Sequence, residues 1–384
     1  MLMFPSLALW IWKDFHMSLS QTLSLGFGMY LLFGIVALPM GGLADRLGAC
    51  KLLVLMLLGS GLSAMACAFT TSPASLSLGL SMIGVFSAIY HPVGIGLISK
   101  CCRPRGKAMG YNGICGNVGI GLAPVLAGMF AHVYGWRMSF LVFGIIALLA
   151  GIMTAFMKID ETPVSGIDQE TIQKEKAGAY LLYFVLMLVC MTLLGMCYRG
   201  TIVSIPAYFN ENITLFQKLL PVDADVQLHS ARSFNVTMLV SGVYLFAMFG
   251  QLLGGSLADR MDLRAAYLLF HSLSLPAMFM MSIVGELPLF AASMVYIFFA
   301  LGMQPIENSL IARLTPNRLR GIAYGLKFVL VLGVGSLSVK VVEWIMDNYE
   351  LALVYQLQSG LLALVVIIIA TIYALSRNES FRNA

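Results

Sequence analysis

Long apolar runs separated by short charged links dominate this chain. The runs cover about residues 17–42, 52–71, 76–99, 107–134, 137–157, 179–209, 233–258, 264–285, 288–312, 321–345 and 351–376, and a shorter apolar piece occupies 1–12. A helix needs roughly 20 apolar residues to cross the hydrocarbon core of a bilayer, because each residue advances only ~1.5 Å. All eleven longer runs meet that length. Strands of a membrane barrel would instead read as alternating segments of about ten residues, and that pattern is absent. Lipid offers backbone N–H and C=O groups no partners, so the runs are predicted to be transmembrane α-helices.

Composition strengthens this reading. The chain is 59% hydrophobic and 11% charged, whereas soluble domains carry about 25% charged residues. The net charge of +5 is spread along the links rather than gathered in one basic arm, so it points to membrane orientation and not to nucleic acid. Alternate links, with the adjoining helix starts and the C-terminal tail, hold 16 Lys and Arg, including Arg46, Arg105, Lys158, Arg260 and Arg318. The opposite links hold five: Lys13, Arg137, Lys218, Arg232 and Lys340. The positive-inside rule then places the Arg-rich links and the C-terminus in the cytoplasm; the membrane expected is a bacterial inner membrane. The seven cysteines show no disulfide or metal spacing, and a thiol inside an apolar run behaves as a small hydrophobe. No phosphate-binding Gly-rich loop and no Ser-His-Asp pattern occur. Neither a cofactor, a metal nor an enzymatic activity is therefore expected. Asp223, Asp225 and His229 lie in the longest opposite link, 210–232, which reads as a solvated loop.

The chain repeats itself. Gly41-Gly42-Leu43-Ala44-Asp45-Arg46-Leu47-Gly48 returns 213 or 214 residues later as Gly254-Gly255-Ser256-Leu257-Ala258-Asp259-Arg260, each at the end of an apolar run. His91-Pro92 aligns with Gln304-Pro305, and Arg105-Gly106 with Arg320-Gly321. The repeat predicts two similar bundles, 1–157 and 179–384, joined by a cytoplasmic linker at 158–178 that lacks apolar content. Pro5 falls where Pro206 falls in the second bundle, yet only four residues precede Pro5. The expectation is twelve helices, with helix 1 largely truncated.

The doubled Gly-x-Leu-Ala-Asp-Arg motif resembles the signature of the major facilitator superfamily, and the resemblance covers essentially the whole chain. Tyr90-His91-Pro92-x-Gly94, with Gly116-Asn117-x-Gly119 and Gly135-Trp136-Arg137, is similar to the fosmidomycin-resistance-type branch. The resemblance implies an all-α membrane protein of two six-helix halves that alternate access to a central cavity. It implies gating by loops holding Gly42, Asp45, Arg46, Gly48, Gly255, Asp259 and Arg260, with the Asp facing a helix N-terminus across the interface. A carboxylate there gains about 0.3–1 kcal/mol at an exposed site. Gly110, Gly119, Pro124 and Gly128 resemble a helix-5 packing motif of the family's antiporters, with Ala123 and Ala127 in place of two glycines. The buried Arg of the drug–proton exporters has no counterpart in helix 4.

Ionisable groups inside a bilayer cost at least about 2.5 kcal/mol on insertion scales and persist where they face a cavity or a partner. Here they are His91, Arg199, Glu307 and Lys327, with His271 in a run that the resemblance makes peripheral. Glu307 is the only acid deep in a run, with Lys327 or Arg199 as partner; it is a proton-coupling candidate or half of a structural pair. Arg199, beside Tyr198, has a fork suited to an anionic group. Tyr90, Asn117 and Gln304 complete the principal solute- or proton-pathway candidates, with Asn112, Tyr244, Gln251 and Asn308 behind them. If the four ionisable groups share one cavity, its charge is +1 with neutral His91. That favours an anionic or zwitterionic small molecule. The function expected is a monomeric secondary transporter, proton-coupled and directed toward efflux. An uptake symporter of an organic anion, and a truncated non-transporting remnant or sensor, remain as alternatives.

Overall fold

A computed structural model of the chain describes residues 1–102, 105–162, 177–214, 225–315 and 320–376. The described residues form helices and turns, with no β-strand among them. Eleven stretches are long and apolar enough to cross a membrane, and they match the eleven apolar runs one for one. Before residue 163 come α1 (Met3–Asp14), α2 (Leu19–Ser24), α3 (Phe27–Leu47), α4 (Ala49–Ala68), α5 (Pro73–Ser87), α6 (Tyr90–Cys101), α7 (Arg105–Tyr134) and α8 (Trp136–Phe156). After residue 176 come α9 (Ala177–Asn212), α10 (Asp225–Arg260), α11 (Leu263–Met281), α12 (Glu286–Gly302), α13 (Gln304–Leu314), α14 (Arg320–Phe328), α15 (Leu337–Asn348) and α16 (Ala352–Leu375).

The two sets repeat one packing scheme. Helix α4 packs on α5 and α8, as α11 packs on α12 and α16; α3 packs on α5, as α10 packs on α12. The short α1 lies against α7, α9 and α10 and buries Phe4, Leu7, Leu9 and Ile11.

The charged motifs lie in helix rather than in loops. Gly42, Asp45 and Arg46 occupy the last turns of α3, and Gly255, Asp259 and Arg260 the last turns of α10. Leu, Ala and Arg are strong helix formers, so the helix continues past the apolar boundary. It stops at Gly48, whose φ of 92° glycine adopts without steric cost; that residue alone separates α3 from α4. His229 departs from the loop reading in the same way, because α10 already begins at Asp225; Asp223 lies outside the described residues.

Three membrane spans are interrupted. The stretch Pro73–Ile98 changes helix between α5 and α6, just before His91-Pro92. The stretch Glu286–Leu314 does so at Met303, just before Gln304-Pro305. Proline lacks an N–H and clashes with the preceding turn, so both repeats break at the same prolines. The stretch Ala323–Asn348 loosens into a π turn at Val329–Gly333 and a tight turn at Val334–Ser336. Gly34 of α3 lies directly against the Gly333 backbone there, a separation no side chain would permit.

Candidate functional site

The interruptions create helix ends in the middle of the bundle, and the deep charges sit on them. Glu307 lies in the first turn of α13 and Lys327 in the last turn of α14. Each charge complements the partial charge of its own helix end. They form a buried ion pair, Nζ to Oε1 2.6 Å. The Tyr267 hydroxyl, from α11, donates to Glu307 Oε2 at 2.7 Å. Lys327 Nζ also donates to Asn308 Oδ1 at 2.7 Å, and the Tyr324 hydroxyl donates to the Asn308 carbonyl at 2.9 Å. The His91 ring stacks on Phe328, the neighbour of Lys327, with centroids 5.2 Å apart, and meets Phe33 edge-on. Lys327, not Arg199, is therefore the partner of Glu307.

A second polar line crosses between the two sets of helices. Asn117 of α7 donates to Gln251 of α10, and Gln251 Nε2 donates to Gln304 Oε1 of α13 at 3.0 Å. Tyr90 donates to Asn112. Farther along the α7–α10 seam, Ser241 Oγ accepts from the Val125 backbone N–H at 2.9 Å, and His132 stacks on Phe234. Gly128 faces Thr237 so closely that a Cβ would collide with it. Pro124 is buried at the same seam. Gly119 is not part of the contact: it is exposed, with open space where a Cβ would sit. Gly121 fills that role, against Leu245. The surroundings of Gly110 lie outside the described residues.

Arg199 stands apart from the Glu307 cluster. Cys190, on the same helix, lies within electrostatic reach of Glu307. Arg199 is nine positions farther along, about 13 Å at helical rise. Its guanidinium sits over the Tyr30 ring, 4.1 Å from the centroid. The four ionisable groups expected in one cavity thus divide in two: Glu307 and Lys327 with His91 beside them, and Arg199 on its own.

The motif ends carry their own chemistry. Asp45, Arg46, Asp259 and Arg260 are exposed. Helix α14 packs along α3, but residues 316–319, just before it, lie outside the described residues. The Glu161 carboxylate, just after α8, accepts the backbone N–H groups of Ala49 (2.9 Å) and Cys50 (2.7 Å) at the start of α4. In the other set Asp262 caps α11 through the Arg264 and Ala265 N–H groups, and Arg264 reaches the Ser376 carbonyl at the end of α16. Both devices bind the first residues of one helix to the end of the helix packed beside it. Sequence reasoning missed Glu161, Tyr267 and Tyr30. Glu161 sat in a link read only as a polar connector between the bundles, and the two tyrosines are ordinary residues in apolar runs. Only tertiary neighbours single them out.

Comparison with known proteins agrees with this architecture. The family model described as Major Facilitator Superfamily matches residues 1–338. The riboflavin transporter RibZ of Clostridioides difficile is 20% identical over 350 residues, covering 79% of this chain and 75% of that protein. The quinolone resistance transporter of Acinetobacter baumannii is 31% identical over 139 residues, covering 34% of this chain and 32% of that one. The puromycin resistance protein pur8 of Streptomyces alboniger is 30% identical over 130 residues, 33% of this chain and 25% of that one. Among solved structures, a bacterial homologue of the human lysosomal transporter Spinster, inward-facing and occupied, superposes with a TM-score of 0.65 at 14% identity, covering 98% of this chain and 94% of that one. Its inward-facing, unoccupied form gives 0.67 at 15% identity. With its interrupted helices, its repeated charged turns and a family model that matches most of its length, the chain is a multi-pass membrane protein that belongs to the Major Facilitator Superfamily.

Proposed function

We propose that this protein is a secondary active transporter that moves a small organic solute by alternating access, with protons coupled at Glu307. The observation that carries the reading is the Glu307–Lys327 pair on two broken helices. A proton on Glu307 removes one charge of the pair and frees Lys327. That changes the relative energies of two arrangements of α13 and α14, which is what a coupling site must do. The two sets of helices are then the two moving halves, 1–157 and 179–384, joined by the linker 158–178. The turns with Gly42, Asp45, Arg46, Gly48, Gly255, Asp259 and Arg260 guard one end. The line Asn117–Gln251–Gln304 and the α7–α10 seam hold the halves together between openings.

The direction favoured is efflux, since two of the relatives are named for drug resistance. The same parts support uptake if the proton gradient is used in the other sense. The excess of Lys and Arg at the motif ends supports a cytoplasmic placement of those ends and of the C-terminus, and the bacterial source of the relatives favours an inner membrane. In this reading one copy of the chain is the transporting unit.

The test is transport by the purified chain in liposomes with an imposed pH gradient. Fluorescent cationic drugs, riboflavin and aromatic carboxylates serve as solutes. Gradient-driven movement that Glu307→Gln uncouples, while counterflow exchange survives, supports the reading. Binding of a solute without movement in either assay favours a sensor and sinks it.

A further inference from the structure

Resting on the transporter reading, we propose that Arg199 is the anchor of an anion-binding subsite for planar aromatic carboxylates, built at the seam between α1, α3, α9 and α10. Arg199 is 4% exposed, yet no carboxylate of the described residues lies within ion-pair distance of it. Its Nε has no hydrogen-bond partner among the described residues. With Glu307 and Lys327 cancelling each other, Arg199 is a deep charge that no acid of the described residues compensates, and the buried Met1 amine beside it adds no negative charge. A buried charge of this kind is strongly disfavoured unless something in the functional cycle pairs it.

Its surroundings describe what that something is. The Tyr30 ring lies against one face of the guanidinium, and the Tyr30, Tyr198 and Tyr244 hydroxyls are its electrostatic neighbours. None of these groups carries a negative charge. Among the described residues the Tyr244 hydroxyl, 1% exposed, lacks a partner. Two buried polar groups at this site, Arg199 Nε and the Tyr244 hydroxyl, thus await partners. A guanidinium presents parallel N–H donors that match the two oxygens of a carboxylate. Phenol faces favour a flat apolar body behind it. An ammonium or a lipophilic cation would meet repulsion from Arg199 and no acid to balance it. Because Arg199 is buried, a solute reaches it only when the helices part, as alternating access requires.

The experiment is thermal stabilisation of the full purified chain by benzoate and 2-naphthoate, with tetraphenylphosphonium as the cationic control. Arg199→Gln, Arg199→Lys and Tyr244→Phe are compared near neutral pH. A ligand that binds the folded form raises its stability by mass action. The expectation is stabilisation by the carboxylates that needs at least about tenfold more ligand in Arg199→Gln, the worth of one charge-assisted hydrogen bond. Arg199→Lys loses less, because charge is kept and the fork is lost. Unaltered carboxylate binding by Arg199→Gln, or stabilisation of the wild type by the cation alone, overturns the proposal. Liposome transport separates the two levels: movement of a cationic drug by both wild type and Arg199→Gln overturns the anion subsite while leaving the transporter reading intact.

Discussion

Breaking the Glu307–Lys327 pair in halves and then whole distinguishes a switchable buried pair from a merely adhesive one. At an effective dielectric of about 20, unit charges 2.6 Å apart attract by roughly 6 kcal/mol. Removing both ions from water costs several kcal/mol each, so the pair as a whole adds little net stability. The cost falls on the survivor. Lys327→Met leaves the buried Glu307 carboxyl without its cation, held only by the Tyr267 hydroxyl, and is expected to destabilise by about 3–5 kcal/mol. Glu307→Gln keeps an acceptor for Tyr267 but strands the Lys327 ammonium with Asn308, for a loss of about 3 kcal/mol. The double variant Glu307→Gln/Lys327→Met carries no charge and should lie within about 2 kcal/mol of wild type, above both singles. The assay is unfolding of the detergent-solubilised chain along a denaturant series, read by tryptophan fluorescence. Losses that simply add in the double variant would refute the reasoning, because they would mean that the two charges do not compensate each other.

Other consequences concern the helix ends and the seams. Glu161→Ala removes the acceptor for the Ala49 and Cys50 N–H groups and should cost about 1 kcal/mol, with faster hydrogen exchange confined to the first turn of α4. Gly34→Val forces a side chain into the Gly333 backbone and should cost about 1–3 kcal/mol or more, seen as loss of monodisperse protein on size exclusion. Gly255→Ala meets open space in a helix and should raise stability by about 0.4–1 kcal/mol in the same denaturant series; a loss would contradict the open space around it. Burial alone would raise the Asp262 carboxyl, but the hydrogen bonds and charge of Arg264 and the Ala265 N–H outweigh it and hold the group below the usual carboxylate range. Such a group stabilises the fold above its unfolded value of about 3.9 and stops doing so as pH falls through its folded value. The stability advantage of wild type over Asp262→Asn should therefore shrink below about pH 4 in a pH-dependent melting series.

Hydrophobic length alone determined the class of this protein. Lipid satisfies no backbone polar group, so each run of some 20 apolar residues had one structural solution, and the eleven spans followed directly. The repeat of Gly-x-Leu-Ala-Asp-Arg and of the two X-Pro sites was equally legible, because it stands in the residues themselves; that the helices change at His91-Pro92 and Gln304-Pro305 yet run on through Pro39, Pro124, Pro206 and Pro276 was settled by packing. Sequence also marked Glu307, Lys327, Arg199 and His91, since charge in lipid is rare enough to stand out. What it left open was their pairing. Helix rotation and the loosened turns at Val329–Ser336 decided that Lys327 meets Glu307 while Arg199 meets Tyr30. The helical state of Asp45, Arg46, Asp259 and Arg260 escaped a reading based on hydropathy, because propensity carries a helix past its apolar boundary. Glu161, Tyr267 and Gly121 gained their roles from neighbours more than 30 residues away in sequence or on another helix, and only three-dimensional packing supplies those. The length of each apolar run fixes which segments are helices; the contacts between their faces fix which charges find partners.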